Sequence, residues 1–180
     1  DVLFNMDGKI SAIIDGDNCN IGLESTIVNL SNSEPELLRP GGIPTEIIEE
    51  KLGRKLLSPK KWPTNTGTIL APGMLESHYA PKCDLKLNET NPNSNTLLLG
   101  FGDMPKDVIG LNLSPTGNLN QAASNLFATL TDMDKMAELM KLTTISVAPI
   151  PNEGIGIAIN DRLKRAAAPK TYAEPPKVDK

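Results

Sequence analysis

Apolar residues recur with a helical period in one stretch of the chain, between Leu119 and Leu130. They stand at positions i, i+3, i+4, i+7, i+8 and i+11, on one face of a helix of 3.6 residues per turn: Leu119, Ala122, Ala123, Leu126, Phe127 and Leu130. Asn118 precedes the first of them and is a suitable N-cap, because its side chain can accept from a free backbone N–H. The pattern predicts an amphipathic helix that begins at Leu119 and packs one face on a core.

Strand-like sequence lies on both sides of this helix. Residues 96–99 and 144–150 are short apolar runs typical of buried strands. Residues 156–168 predict a second helix, with Leu163, Ala166 and Ala167 on one side. Alternating strands and helices are typical of a parallel α/β domain, so we predict a small domain of this kind over residues 95–168.

The first part of the chain also has an α/β pattern. Residues 9–15, 25–30 and 37–39 are β-branched or apolar and bounded by turn-forming residues, and they predict three strands. The turn at Pro40, Gly41 and Gly42 follows. Pro44 then stands near the first turn of a predicted short helix, which ends at Gly53. Residues 1–57 therefore resemble the end of an α/β unit.

A long irregular connection is predicted over residues 58–94, where Pro, Gly, Thr and Asn are frequent and no period persists. It contains APGMLESHYAPK, in which Pro72 and Pro81 exclude regular helix. His78, the only histidine, stands beside Tyr79 in this stretch. A linker that only has to span the distance between two domains is usually Gly/Ser-rich or charged. This one contains a histidine and a tyrosine instead, so we expect it to lie against a protein surface. The tail at 169–180 is predicted to be flexible.

Composition narrows the function classes. The net charge is −4 with a pI of about 5.1, and aromatic residues make up 3% of the chain, so direct nucleic-acid binding is not expected. There is no membrane-length apolar run and no signal-peptide pattern, and we expect a cytoplasmic protein with no membrane partner. Cys19 and Cys83 lack the spacing of a zinc or redox motif and are expected to be free thiols.

Three segments in the same order resemble the long, two-domain form of threonylcarbamoyl-AMP synthase, of the YrdC-like family. They are GLESTIVNL at 22–30, LLRPGGI at 37–43, and the connection that carries PGM and HYAP. Residues 112–130 and 154–167 are similar to the C-terminal domain of that family. The resemblance implies an α/β fold with three parts: a C-terminal remnant of a YrdC-like domain at 1–57, an extended linker at 58–94, and a small Rossmann-like domain at 95–168. Most of the first domain would be missing, so the chain is expected to be a fragment.

Two hydroxyls and one guanidinium are candidate ligands in the first part of the chain. Ser25 and Thr26 stand at the start of a predicted strand. Their hydroxyls either make local hydrogen bonds or point into a binding cleft. The resemblance assigns them to threonine binding. Arg39 precedes two glycines that allow an anion to approach the backbone, and the resemblance assigns it to ATP. A surface ion pair of Arg39 with a nearby glutamate is the structural alternative.

His78 and Tyr79 are also assigned to ATP by the resemblance, where they would close over the adenylate; alternatively, they attach the linker to a domain surface. No residue is assigned a catalytic role, and no metal site is predicted. The calcium-like run at 15–20 lacks the required Gly and a later bidentate Glu. Gly154 and Gly156 form only G-x-G and are better explained by close packing of a helix on a strand.

The resemblance implies an L-threonylcarbamoyladenylate synthase, a nucleotidyltransferase acting on ATP with Mg²⁺, L-threonine and bicarbonate, with no tightly bound cofactor. Its product would feed the tRNA threonylcarbamoyl transferase machinery. The family's Lys/Arg cluster and Ser-Asn stretch for ATP are not recognisable here, so the chain alone is expected to be inactive. The alternative from a different class is a nucleotide-sensing or partner-docking regulatory module without catalysis.

Overall fold

The computed structural model describes Leu3 and residues 6–16, 19–57, 81–93 and 96–168. The described residues form six strands and three helices, and the strands divide into two sheets. In chain order the elements are β1 Ile27–Asn29, β2 Glu36–Arg39, α1 Thr45–Leu52, β3 Asp84–Lys86, β4 Leu97–Gly100, β5 Gly110–Asn112, α2 Leu119–Met140, β6 Thr144–Val147 and α3 Gly156–Ala166.

The larger sheet has four strands in the order β3-β6-β4-β5, and every neighbouring pair is parallel. This confirms the predicted parallel α/β organisation. Its central strands β4 and β6 are buried together with the inner faces of α2 and α3. Side chains with no exposed surface in this core include Leu97, Leu99, Leu113, Leu126, Met133, Ile145 and Ile159. The Rossmann-like description and the domain limits remain predictions.

The long amphipathic helix begins as predicted. Asn118 accepts a hydrogen bond from the backbone N–H of Gln121 at 3.0 Å, which satisfies a donor that the first turn leaves free. The helix continues beyond the predicted apolar stripe because Met133 and Ala137 extend its buried face. It ends at Met140, where Lys141 adopts a left-handed conformation and donates to carbonyls of the last turn.

Two strands of the parallel sheet were not predicted. β3 lies inside the predicted connection, and its Leu85 pairs with Ile145 of β6. β5 begins at Gly110 and is half-buried, so neither β-branched residues nor an apolar run marks it. Gly110 is required there because a Cβ atom would collide with the backbone of Leu98 on β4. Both strands are short and depend on their neighbours for position.

The first part of the chain contains the antiparallel pair β1–β2 and the helix α1, which confirms two of its three predicted strands and its helix. The helix ends at Gly53, whose φ of 67° is favourable for glycine. The strand predicted at residues 9–15 is wrong. Ile14 is 95% exposed and Ile13 44% exposed, so these β-branched residues have no sheet or core to pack against in the described structure.

The first part of the chain packs directly on the C-terminal sheet unit. Leu23 is buried in the same core as α2 and β4. The backbone at Gly22 passes so close to Ser124 of α2 that a Cβ atom would lie 2.7 Å from its carbonyl oxygen. Ser124 in turn donates to the Cys19 carbonyl at 3.1 Å. Leu23 thus joins the first part to the core of the sheet unit, whereas Leu38 and Ile27 of the β1–β2 pair form a small apolar cluster of their own.

Candidate functional site

Ser25 and Arg39 are in direct contact. The guanidinium of Arg39 donates to the Ser25 carbonyl from Nε at 3.1 Å and from Nη2 at 3.0 Å, and Nη2 also lies 3.2 Å from Ser25 Oγ. Arg39 is only 8% exposed, whereas Ser25 is exposed. The hydroxyl is thus presented at the surface, and a buried positive charge stands behind it.

The pairing of β1 with β2 brings these two residues together. Ile27 pairs with Arg39, and the register shifts between Ile27 and Val28, as at a β-bulge. Bulges redirect neighbouring side chains and are frequent near functional sites. The register therefore places the start of β1 over the end of β2.

Thr26 serves a different local role from Ser25. Its hydroxyl donates to the Ile43 carbonyl at 2.7 Å and lies 3.2 Å from the Ile43 N–H, which donates to it. The neighbouring N–H of Gly42 donates to the Glu24 carbonyl at 2.9 Å. These bonds hold the turn after β2 against the segment before β1.

The turn approaches that segment closely only because Gly41 has no side chain. A Cβ atom at Gly41 would lie closer than 3.0 Å to the backbone of Glu24, Ser25 and Thr26. We call the surface formed by residues 24–26 and 39–43 the Ser25–Arg39 wall. It consists of an exposed hydroxyl, a buried guanidinium and a tightly packed glycine turn.

A buried charge cluster behind this wall was not predicted. Arg162 of α3 donates from Nε to Glu24 at 2.9 Å, from Nη2 to the Pro40 carbonyl at 3.1 Å and from Nη1 to Asp161 at 2.6 Å. Asp161 also pairs with Arg165 at 2.9 Å. The sequence does contain a signal for this cluster, which is the D-R-x-x-R spacing on a helix face that is otherwise apolar. Charged residues are rarely buried unless they are paired, so such a pattern predicts a buried ion pair.

His78 and Tyr79 lie outside the described residues, so their assignment to ATP remains a prediction. The end of their segment is described and is anchored on α2. The Asp134 carboxylate accepts from the backbone N–H groups of Lys82 and Cys83, each at 3.0 Å. The Lys82 ammonium donates to Glu138 at 3.1 Å, and this hydrogen bond raises the pKa of Lys82.

Within the described ranges, no group of three or more His, Cys, Asp or Glu side chains is placed to hold a metal ion. An open depression of about 470 Å³ lies along α1 and is lined by Glu46, Glu49, Glu50, Gly53, Arg54 and Lys55, none of which belongs to the wall. None of the described helices is both long and apolar enough to cross a membrane. A Cβ atom at Gly156 would collide with the Pro151 carbonyl in the loop before α3 and approach Leu119 of α2, so this glycine packs against a loop and a helix and not against a strand. Nothing lies within 4 Å of the Cβ position of Gly154, so the packing explanation does not hold for that residue.

The comparisons with known proteins agree with the resemblance. The sequence model of the family described as "Threonylcarbamoyl-AMP synthase, C-terminal domain" matches residues 43–168. The chain belongs to this family. A threonylcarbamoyl-AMP synthase of Pyrococcus abyssi is 32% identical over 177 residues, which cover 89% of this chain and 50% of that protein. The synthase of Bacillus subtilis is 29% identical over 182 residues, covering 92% of this chain and 51% of the relative.

Solved structures of the same family resemble the fold. The crystal structure of P. abyssi Sua5 complexed with L-threonine has a TM-score of 0.76 and 30% identity, covering 92% of this chain and 52% of that one. A P. abyssi Sua5 variant, in which an adjacent histidine and tyrosine are replaced by alanine, has a TM-score of 0.70 and 29% identity, covering 89% of this chain and 49% of that one. The chain thus spans about half the length of these threonylcarbamoyl-AMP synthases.

Proposed function

We propose that the complete gene product is an L-threonylcarbamoyladenylate synthase. It converts ATP, L-threonine and bicarbonate to threonylcarbamoyl-AMP and pyrophosphate, and its product serves tRNA threonylcarbamoyladenosine modification. The observation that carries the proposal is the Ser25–Arg39 wall, built from the two segments whose sequences resemble the synthase domain. Family membership and a relative whose structure is complexed with L-threonine support it.

The reaction determines what the wall has to do. The amino group of threonine combines with bicarbonate, with loss of water, to give a carbamate. A carbamate oxygen then attacks the α-phosphorus of ATP, and the bond to the bridging oxygen breaks so that pyrophosphate leaves. Such a transfer requires an oriented amino acid, positive charge near the phosphates and exclusion of water from a hydrolysable anhydride.

We assign Ser25 the direct contact with threonine. Its hydroxyl is exposed, and the Arg39 guanidinium orients it from behind. Thr26 would support threonine binding by fixing the wall, because its hydroxyl hydrogen is donated to the Ile43 carbonyl. Arg39 contributes positive charge beside the hydroxyl, as the ATP assignment requires.

His78 and Tyr79 complete the proposed ATP site by covering the adenylate. The related structure with an adjacent histidine and tyrosine replaced shows that such a pair occurs in a relative. In this chain the end of the segment is anchored by Asp134. Mg²⁺ would enter with the triphosphate as part of the substrate.

The test measures product formation with ATP, L-threonine and isotopically labelled bicarbonate. The complete gene product is expected to release pyrophosphate and to form labelled threonylcarbamoyl-AMP, detected by mass spectrometry, only when threonine is present. The 180-residue chain alone is expected to do neither. Nucleotide binding by the complete gene product without labelled product would instead favour the regulatory module.

A further inference from the structure

We propose that Arg162 is a positioning residue that couples the C-terminal sheet unit to the Ser25–Arg39 wall. The inference rests on the proposed function for its catalytic consequence, but its structural part can be tested separately. It concerns a residue of α3 that does not belong to the wall itself.

Each nitrogen of the Arg162 guanidinium has an acceptor. Nε and Nη2 lie 2.9 and 2.8 Å from the same Glu24 carboxylate oxygen, Nη2 donates to the Pro40 carbonyl, and Nη1 donates to Asp161. The side chain is only 2% exposed. A planar group with five donors in a fixed fork can hold three acceptors at once, which a lysine ammonium cannot do with the same geometry.

The two acceptors outside α3 belong to the wall and stand next to its central pair, Ser25 and Arg39, in sequence. Glu24 directly precedes Ser25, and Pro40 directly follows Arg39. The Arg162 guanidinium therefore binds the segment before β1 and the turn after β2, in each case at the residue next to the Ser25–Arg39 contact. Because a two-stranded sheet alone is marginally stable in water, this contact from α3 is suited to fix the distance between the segments.

The cluster also controls charge at the site. Glu24 and Asp161 carry two negative charges, and Arg162 and Arg165 carry two positive charges, so the four side chains sum to zero. Glu24 is 28% exposed in its side chain and is the member next to the exposed Ser25. Replacing Arg162 by a neutral residue would remove one of the two positive charges from this cluster beside the wall.

The structural test measures amide hydrogen exchange by NMR in the 180-residue chain. The reporters are the Gly42 N–H, bonded to Glu24, and the Ile43 N–H, bonded to Thr26. The core reference is the Ala148 N–H, bonded to Leu99 in the parallel sheet. Arg162→Lys is expected to raise exchange at Gly42 and Ile43 by roughly tenfold or more and to leave Ala148 within about twofold.

Arg54→Lys is the matched control, because Arg54 is an exposed arginine of the same part of the chain that donates to the Ser33 carbonyl at 2.8 Å. It is expected to change none of the three amides. Glu24→Gln removes the partner charge with little change in shape. It is expected to reproduce the selective loss of protection even where Arg162→Lys folds poorly.

The kinetic test uses the complete gene product. Arg162→Lys is expected to raise KM for threonine and ATP more than it lowers kcat, because the wall is displaced while the reacting groups are retained. Unchanged exchange at Gly42 and Ile43, or an equal rise at Ala148, would overturn the positioning role. A selective rise in exchange with no synthase activity in the unsubstituted protein would contradict the proposed function and leave the positioning role standing.

Discussion

The C-terminal sheet unit and the Ser25–Arg39 wall are stabilised in different ways. The sheet unit has a continuous apolar core in which Leu97, Leu99 and Ile145 are fully buried. The wall has a two-stranded sheet, and α1 beside it has no buried residue. The wall is held to the sheet unit by Arg162, which pairs with Glu24 and donates to the Pro40 carbonyl. The close approach of Gly22 to Ser124 of α2 supports the same contact. The comparison indicates that, within the described residues, the candidate site is held in place mainly by polar contacts and close backbone approach, whereas the sheet unit is held by a large apolar core.

The largest expected effect is on the sheet unit. Leu99→Ala removes a fully buried side chain from β4 and is expected to lower the free energy of unfolding by about 2–5 kcal/mol. The measurement is urea unfolding followed by circular dichroism. Leu139→Ala, at a position 84% exposed on α2, is the control and should stay within about 0.5 kcal/mol. A similar loss in both variants would show that the sheet core is not the source of stability.

A smaller effect is expected at the wall. Gly41→Ala places a Cβ atom against the backbone of Glu24 and Ser25, and is expected to cost about 1–3 kcal/mol and to separate the two segments. Gly16→Ala is the control, since nothing lies within 4 Å of its Cβ position. Proton–proton contacts between residues 24–26 and 41–43, measured by NMR, should disappear only in Gly41→Ala. Their persistence would show that the close approach is not required.

The features that were predictable from sequence have a local physical cause. Asn118 caps the long helix because its own side chain reaches Gln121, and Gly53 ends α1 because it accepts a positive φ. Ser25 and Arg39 could be named as candidates, but their contact depends on a bulge and on strand register. The Arg162 cluster joins residues 138 positions apart, and no local pattern contains that pairing. The error at residues 9–15 has the same origin, since β-branched residues form a strand only where a partner exists.

The anchor of the predicted linker should be less sensitive than the wall. Asp134→Asn replaces a carboxylate that accepts two backbone N–H groups by an amide with one acceptor oxygen, and is expected to cost about 1 kcal/mol. Asp132→Asn removes only an exposed pair with Lys135 and should cost less than about 0.5 kcal/mol. Exchange of the Cys83 N–H is the local readout. Equal effects of the two substitutions would contradict an anchoring role for Asp134.

The smallest effect on stability is expected from the contacts of Glu49 in α1. The Glu49 carboxylate accepts from the Lys55 ammonium at 2.7 Å and from the Leu56 backbone N–H at 2.9 Å. These hydrogen bonds lower the pKa of Glu49 below its ordinary value of 4.5. A carboxylate with a lowered pKa contributes its stability above that ordinary value and loses it as pH falls through the lowered one. The difference in urea midpoint between the unsubstituted chain and Glu49→Gln should therefore shrink in acid. A difference that stays constant with pH would exclude this contact as its source.

The central claim is that Arg39 and Ser25 form a working wall of a synthase site, and the most direct measurement is kcat/KM for threonine in the complete gene product. Arg39→Lys keeps the charge but loses the forked contact with Ser25, and is expected to lower kcat/KM by roughly 10- to 100-fold. Arg54→Lys, on the exposed side of the same part of the chain, should remain within about twofold. Equal values for Arg39→Lys and the unsubstituted enzyme would contradict the assignment.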